Sequence, residues 1–339
     1  MESKHYSQNI TVQYCFPYMN SSCRKEVRTG PAYIFLLIFL SCVSVCTVFL
    51  NLLVIISISH FKQLHTPTNL LILSLAVADL LVGMFVMPVN IMQLIDSCWY
   101  LGEMACTVSL AVSFMSASGS LCSLVLIAVD RYIAVTDPLL YSMKITVCKT
   151  VLLIIIGWSF VLLYILTCLY SHDRLLSSEI FTSCYGECVI YVKYYWVFVD
   201  IVCFLAPCSV ILVLYSIIFK VAQRQAKAVR ALMTSASNKH EAQSSNVSET
   251  KAAKTLSITV FVYLACYIPY YIGSLTDNNS TSSSMMSTGF IWLINITSSV
   301  NPLIYAIFYP WFRASVKYVL TCKIFVYPSS RLNLFPKHV

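Results

Sequence analysis

Apolar residues fall in seven long blocks, at roughly 33–59, 68–95, 104–135, 150–170, 194–220, 252–275 and 285–309, divided by shorter polar segments. A helix needs about 20 apolar residues to cross a hydrocarbon layer about 30 Å thick, and every block is long enough. The third is the longest and carries Ser113, Ser116, Ser118 and Ser120, which are expected to face protein rather than lipid. The predicted fold class is all-α, a seven-transmembrane helix bundle. Its expected organisation is an N-terminal segment over 1–32, the bundle over 33–309 and a tail over 310–339.

Composition agrees with lipid as the solvent. Of the 339 residues only 11% are charged and 58% are hydrophobic, and mean hydropathy is +0.77. Soluble domains carry about a quarter charged residues. A water-soluble enzyme and a disordered chain are excluded, and so is a nucleic-acid partner, because the net charge of +8 is spread over loops. Of the 22 Lys and Arg, sixteen lie on one side of the spans and only Lys4, Arg24, Lys25, Arg28, Arg174 and Lys193 on the other. Short basic loops stay in the cytoplasm, so the N-terminus is expected outside. Glycosylation sequons at Asn9 and Asn20 agree with that side, whereas Asn246 falls in a cytoplasmic loop and Asn295 inside the last span. No signal peptide is read at the start, and the first span is expected to serve as the insertion signal. The polar stretch 221–250 reads as a helix extension followed by a loop.

Cys15, Cys23, Cys98, Cys106, Cys184 and Cys188 lie at or beyond the outer boundary, where disulfides persist. Six cysteines can pair in many ways, and the residues themselves select none. The six histidines are all in loops or tails. That argues against a histidine-ligated metal or a histidine base inside the bundle, and half of a zinc site at Cys184 and Cys188 has no partner half.

A buried ionisable group costs about 2.5–3.5 kcal/mol or more in a membrane, so it marks a candidate site. Asp79 lies mid-depth in the second span, Asp130 at the inner end of the third beside Arg131, and Asp200 about two turns into the fifth. Asp130 has a local partner; Asp79 and Asp200 have none in the sequence. Asp200 is six residues inward from Tyr194, about 9 Å along the axis, and seven before Pro207. Phe114, Tyr267, Tyr270, Tyr271 and Trp292 lie at similar depth on other spans. A carboxylate ringed by aromatic faces suits an ammonium ligand. The other reading is that Asp200 is protonated or bonded to neighbouring hydroxyls. Tyr194, Tyr195 and Trp196 nearer the mouth read as an interfacial belt.

Several short motifs stand in a fixed order: Asn51, Leu75-Ala76-Val77-Ala78-Asp79, Asp130-Arg131-Tyr132, Trp158, Pro207 with Tyr215, Cys266-x-x-Pro269, and Asn301-Pro302-x-x-Tyr305. Together they resemble the rhodopsin-like (class A) G-protein-coupled receptors over about 33–320. Residues 301–313, Lys251 to Leu256, Cys184-x-Gly-x-Cys188 and Asn20-Ser-Ser-Cys23 narrow the resemblance to the trace amine-associated receptors, the olfactory receptors for volatile amines.

The resemblance implies a plasma-membrane receptor, not an enzyme, that takes a small-molecule amine and couples to a heterotrimeric G protein of the stimulatory or olfactory class, raising cyclic AMP. It implies disulfides Cys106–Cys188 and Cys23–Cys184, leaving Cys15 and Cys98 unassigned. It implies a water or sodium site at Asp79 with Asn51, Asn301 and Ser118 or Ser120, and no other cofactor. Arg131 would be held by Asp130, and by Glu249, until released toward Tyr215. A short amphipathic eighth helix would begin at Pro310, with Cys322 a palmitoylation candidate. Ser113 stands where amine receptors have Asp, and Asp200 looks like its replacement, as in fish-type members of the subfamily. Tyr267 stands where Trp is usual, and Thr297 where Asn is usual. A diamine would need a second anion such as Asp96, Glu187 or Asp277. Two other functions remain at this point: the same receptor fold with a non-amine ligand, which Ser113 favours, and a transporter or channel, which would call for more polar lining than two acids.

Overall fold

The computed structural model describes residues 13–19, 21–25, 30–176, 184, 186, 188, 194–235, 258–273 and 284–325, and within these gives no account of the side chains at 171–176, 194–201, 226, 228–235 and 284–287. The seven apolar blocks are helices: α1 (Pro31–His60), α2 (Pro67–Ile95), α3 (Gly102–Thr136), α4 (Val147–Leu176), α5 (Tyr194–Ser235), α6 (Ile258–Gly273) and α7 (Ser284–Phe308). α8 (Pro310–Leu320) follows, and a short helix, Pro138–Lys144, joins α3 to α4. Among the described residues, all but α6 and the two short helices are long and apolar enough to cross a membrane, and the predicted start of the sixth span at 252 lies outside them. α5 runs well past the predicted 220, as the helix extension requires.

Local chemistry explains several boundaries. Pro31, Pro67 and Pro310 sit in first turns, where the missing N–H has no helical partner to lose. Thr66 caps α2, its hydroxyl accepting from the Asn69 N–H at 3.3 Å. Inside α2, Val82–Val86 form a π-turn that ends two residues before Pro88, which cannot donate to the preceding turn. Ser44 of α1 donates to the Gly83 carbonyl of that turn at 2.9 Å.

Lipid-facing sides carry exposed Phe35, Val45 and Phe49 on α1 and Leu152, Ile155 and Phe160 on α4. Hydrocarbon does not drive apolar faces together, so close approach rests on small residues and polar links. α3 packs against α2, α4 and α5. A Cβ on Gly157 would lie 2.5 Å from the Cys122 Sγ, and one on Gly119 2.8 Å from the Trp158 ring. Trp158 Nε1 donates to Ser74 Oγ at 3.0 Å, and Ser74 bonds Ser123 at 2.9 Å, tying α4, α2 and α3 together. Gly157→Val is therefore expected to overpack this contact at about 1–3 kcal/mol. Its readout is a lower thermal midpoint and several-fold less receptor at the surface; an unchanged midpoint contradicts the packing.

Candidate functional site

The N-terminal segment is tied by disulfides to the outer end. Cys23–Cys184 and Cys106–Cys188 are disulfides, and so is Cys15–Cys98, with Cα–Cα distances of 4.8, 5.6 and 5.5 Å. The third pairing had no sequence signal of its own. Residues 14 and 24 form an isolated bridge, and the Trp99 N–H donates to the Gly186 carbonyl at 2.9 Å. Gly186 has φ 103° and no room for a side chain, a Cβ there falling 3.0 Å from that of Cys15.

Asp96 accepts from Lys25 Nζ at 2.7 Å and from the Cys98 N–H at 3.1 Å. Burial pushes the Asp96 carboxyl up, but the Lys25 and Cys98 hydrogen bonds together hold it below the ordinary carboxylate range. The Lys25 ammonium is raised, chiefly by its hydrogen bond to Asp96. A depressed carboxylate stabilises above its unfolded pKa and loses that contribution as pH falls through the folded value; a raised amine loses its own only as pH rises through its folded value. The pair is thus intact near neutrality and fails in acid. Half-exposed pairs contribute about 1 kcal/mol or less. Asp96→Asn is expected to quicken amide exchange over residues 21–25 modestly, with no further acid sensitivity; identical exchange in the two proteins contradicts the tether. Asp96, engaged in this way, is not a spare anion for a diamine, and Glu187 and Asp277 lie outside the described residues.

Asp200 is in α5, one turn outward from Phe204; its side chain lies outside what is described. Phe204 is 4% exposed and stacks on Tyr271 at 4.2 Å, Tyr267 at 5.7 Å and Tyr263 at 6.5 Å between ring centroids. Tyr263 and Tyr267 stack at 4.1 Å, and Tyr270 meets Tyr271 edge-on at 5.4 Å. Phe204 and Tyr263 were not singled out by sequence, because one ring among many in an apolar block carries no mark. The other expected pocket residues lie apart from this stack. Trp292 packs with Leu40, Val82, Val86, Met87 and Leu94 of α1 and α2. Phe114 is half-exposed and joins no described ring pair. Ser113 donates to the Ser109 carbonyl of its own helix at 2.9 Å.

At the bundle centre Asp79 is 1% exposed and accepts from Asn301 Nδ2 at 2.7 Å and Ser120 Oγ at 3.3 Å. Of the two candidate serines, Ser120 reaches it. Asn51 donates to the carbonyls of Thr47 and Ser298 at 2.9 and 3.0 Å, while its Oδ1 is buried without a partner. Thr297, one residue before Ser298, is buried and donates to the Ile294 carbonyl at 2.6 Å. Among the described residues no three His, Cys, Asp or Glu converge as a metal site.

At the inner end Asp130 is 2% exposed and accepts from Arg131 Nε at 2.9 Å, Thr68 Oγ1 at 2.8 Å and the Tyr141 hydroxyl at 2.7 Å. Arg131 also donates to Thr68. The hydroxyls of Tyr215, Tyr305 and Tyr309 are buried without partners. Tyr132 packs beside Val135 and Ile218 on the α3–α5 side, and Pro302 lies within α7. Arg313 of α8 donates to the Ala306 and Ile307 carbonyls at 3.1 and 2.8 Å, closing the end of α7. Asn9, Asn20 and Glu249 lie outside the described residues. Asn295 is 4% exposed, which removes it as a glycosylation site.

A charged cluster at the inner end, a carboxylate at the centre and an aromatic stack below a disulfide-tied outer cap form a receptor architecture, and known proteins agree. Residues 50–305 match the family described as 7 transmembrane receptor (rhodopsin family). Trace amine-associated receptor 6 of Homo sapiens is 38% identical over 344 residues, covering 99% of this chain and 100% of that one. Trace amine-associated receptor 13c of Danio rerio is 39% identical over 330 residues, 95% and 96% of the two chains. Trace amine-associated receptor 7e of Rattus norvegicus is 37% identical over 338 residues, 97% and 94%. The chain is thus a multi-pass plasma-membrane receptor of the rhodopsin family, belonging to the trace amine-associated receptors.

Proposed function

We propose that this receptor recognises a small amine whose ammonium pairs with Asp200 and whose body lies on the aromatic stack of α5 and α6. The observation that carries the reading is Asp200 itself: no other Asp or Glu lies in the outward half of any of the seven helices more than a turn from its end. An unpaired carboxylate at that depth is costly and a cationic ligand offsets the cost. Phe204, one turn inward, and Tyr267 and Tyr271 supply π-faces for the substituents of the cation.

Signalling follows as a population shift. An amine bridging α5, α6 and α3 favours the arrangement in which the inner end of α6 swings outward, with Pro269 as its hinge, and Arg131 leaves Asp130 for Tyr215 and the G protein. The G protein is of the stimulatory or olfactory class, the second messenger cyclic AMP and the physiological role olfactory. Asp79 with Ser120 and the unpartnered Asn51 Oδ1 offers oxygen ligands of the type a hard cation such as sodium takes, and Asn301 occupies that carboxylate here.

Ser113 favours a second reading, a neutral ligand, since it puts a self-bonded hydroxyl where an acid could have stood. A panel of monoamines, diamines and neutral odorants on the wild type, read by cyclic AMP, separates the two. The amine reading expects monoamines to be the strongest class; response to neutral odorants alone rejects it.

A further inference from the structure

We propose that the Cys15–Cys98 disulfide is a brace that controls access from outside to the pocket at Ser113, and that Gly186 is the position on which the brace seats. The inference rests on where the reading above places the pocket and not on the charge of its ligand. Four links carry it, and they close a circuit. Cys98 of the first outer loop is bonded to Cys15, and the Cys15 N–H donates to the Cys23 carbonyl at 2.9 Å. Cys23 is bonded to Cys184 of the second outer loop, and the Gly186 carbonyl accepts from Trp99, the residue after Cys98, at 2.9 Å.

The circuit is filled as well as closed. Cys15, Cys23 and Cys98 are buried together, with Phe16 and Cys184 packed against them. Phe16 meets Tyr100 of the first outer loop edge-on at 5.6 Å, and its N–H donates to Ser22 Oγ at 2.7 Å, which holds the turn between the two arms. A Cβ on Gly186 would fall 3.0 Å from the Cβ of Cys15 and 3.1 Å from the Phe16 ring, so the second loop and the brace meet with no room for a side chain. At φ 103° glycine alone takes up this backbone without strain.

Cys184, Gly186 and Cys188 are each held by a different element: the N-terminal arm, the first outer loop and, through Cys106, α3. Cys106 lies seven residues outward of Ser113, about 10 Å along the axis, so these anchors stand at the outer end of the helix that carries Ser113. Without Cys15–Cys98, Cys23 is joined covalently to the bundle only through the eight residues to Pro31 and through the second loop itself. Arm and loop then swing together about Cys188, because a chain of that length leaves its end many positions. The partly exposed Lys25–Asp96 pair is a weak substitute. The brace thus turns two outer loops into one rim that opens only as a unit.

Access is read without any ligand. Ser113→Cys places a thiol in the pocket of the full-length receptor at the surface of intact cells. Its rate of reaction with the impermeant reagent 2-(trimethylammonium)ethyl methanethiosulfonate is measured against the receptor that keeps Ser113, which gives the background from native cysteines. That rate follows the fraction of time the rim is open. Adding Cys15→Ala with Cys98→Ala, which removes the disulfide and leaves no new thiol, is expected to raise it about tenfold. Gly186→Ala, with all three disulfides kept, is expected to raise it about threefold, and by less once the disulfide is gone, because both act on one contact. A lower surface level or thermal midpoint with the labelling rate unchanged is what a purely structural disulfide gives, and it overturns the proposal. If the double variant does not reach the surface, Gly186→Ala decides, and an unchanged rate overturns; loss of both variants from the surface assigns the circuit to folding and overturns it as well. n-Hexylamine is a separate arm on the braced receptor: if it fails to slow the labelling, the amine reading loses its pocket, while the ligand-free rates still judge the brace.

Discussion

Asp200→Asn is expected to abolish amine responses at concentrations that saturate the wild type, with the receptor still at the surface. Asn keeps the size and hydrogen-bonding capacity of the side chain and removes only its charge, so the loss isolates the ion pair. Removing one member of a buried, hydrogen-bonded charge pair costs about 3–5 kcal/mol, or about two to four orders of magnitude in potency. That is far more than the about 1 kcal/mol of a neutral hydrogen bond. A cyclic AMP dose–response that is unmoved, with matched surface expression, rejects the pairing. The reciprocal substitution extends the argument. Ser113→Asp places a second carboxylate on α3, and diamines should gain potency relative to monoamines. If the ratio stays where it was, positions 113 and 200 do not share a pocket.

The second large effect is expected at the opposite end of the bundle. Asp130→Asn should raise ligand-independent signalling. In the present structure Asp130 holds Arg131 while itself accepting from Thr68 and Tyr141, an arrangement that keeps the guanidinium from Tyr215, whose buried hydroxyl has no partner. Neutralising the carboxylate removes the charge-assisted bond, worth about 1.5–3 kcal/mol, from this state alone. A two-state equilibrium then moves by roughly one to two orders of magnitude. Tyr141→Phe deletes one neutral-donor bond to the same carboxylate and should move basal signalling the same way by less. Equal basal activity in wild type and Asp130→Asn contradicts the lock, and a Tyr141→Phe effect larger than that of Asp130→Asn would place the restraint on the tyrosine.

What the sequence disclosed and what it concealed follow from different physics. Span boundaries were legible because lipid imposes one length and one polarity on each crossing, and α1, α2, α3 and α7 begin or end within a few residues of the expected positions. Asp79 and Asp130 were legible because charge in an apolar block is conspicuous. Azimuth around a helix was not legible. Trp292, expected beside Tyr267 and Tyr271, belongs to the α1–α2 cluster, and Phe204 joins the tyrosines only because α5 and α6 present those faces to each other. Choosing Ser120 over Ser118 required the same knowledge of rotation. The Cys15–Cys98 disulfide depends on how residues 13–25 lie over the outer loops, which composition does not encode.

The positive charge of the ligand rests, in this proposal, on Asp200. The most direct measurement is a structure of the receptor with an activating amine bound, read for the distance from the ligand nitrogen to the Asp200 carboxylate. An ion-pair distance, within about 4 Å, is expected, with the body of the ligand on Phe204 and Tyr271. A nitrogen held elsewhere, with the Asp200 carboxylate satisfied by neighbouring hydroxyls or turned to lipid, would contradict it.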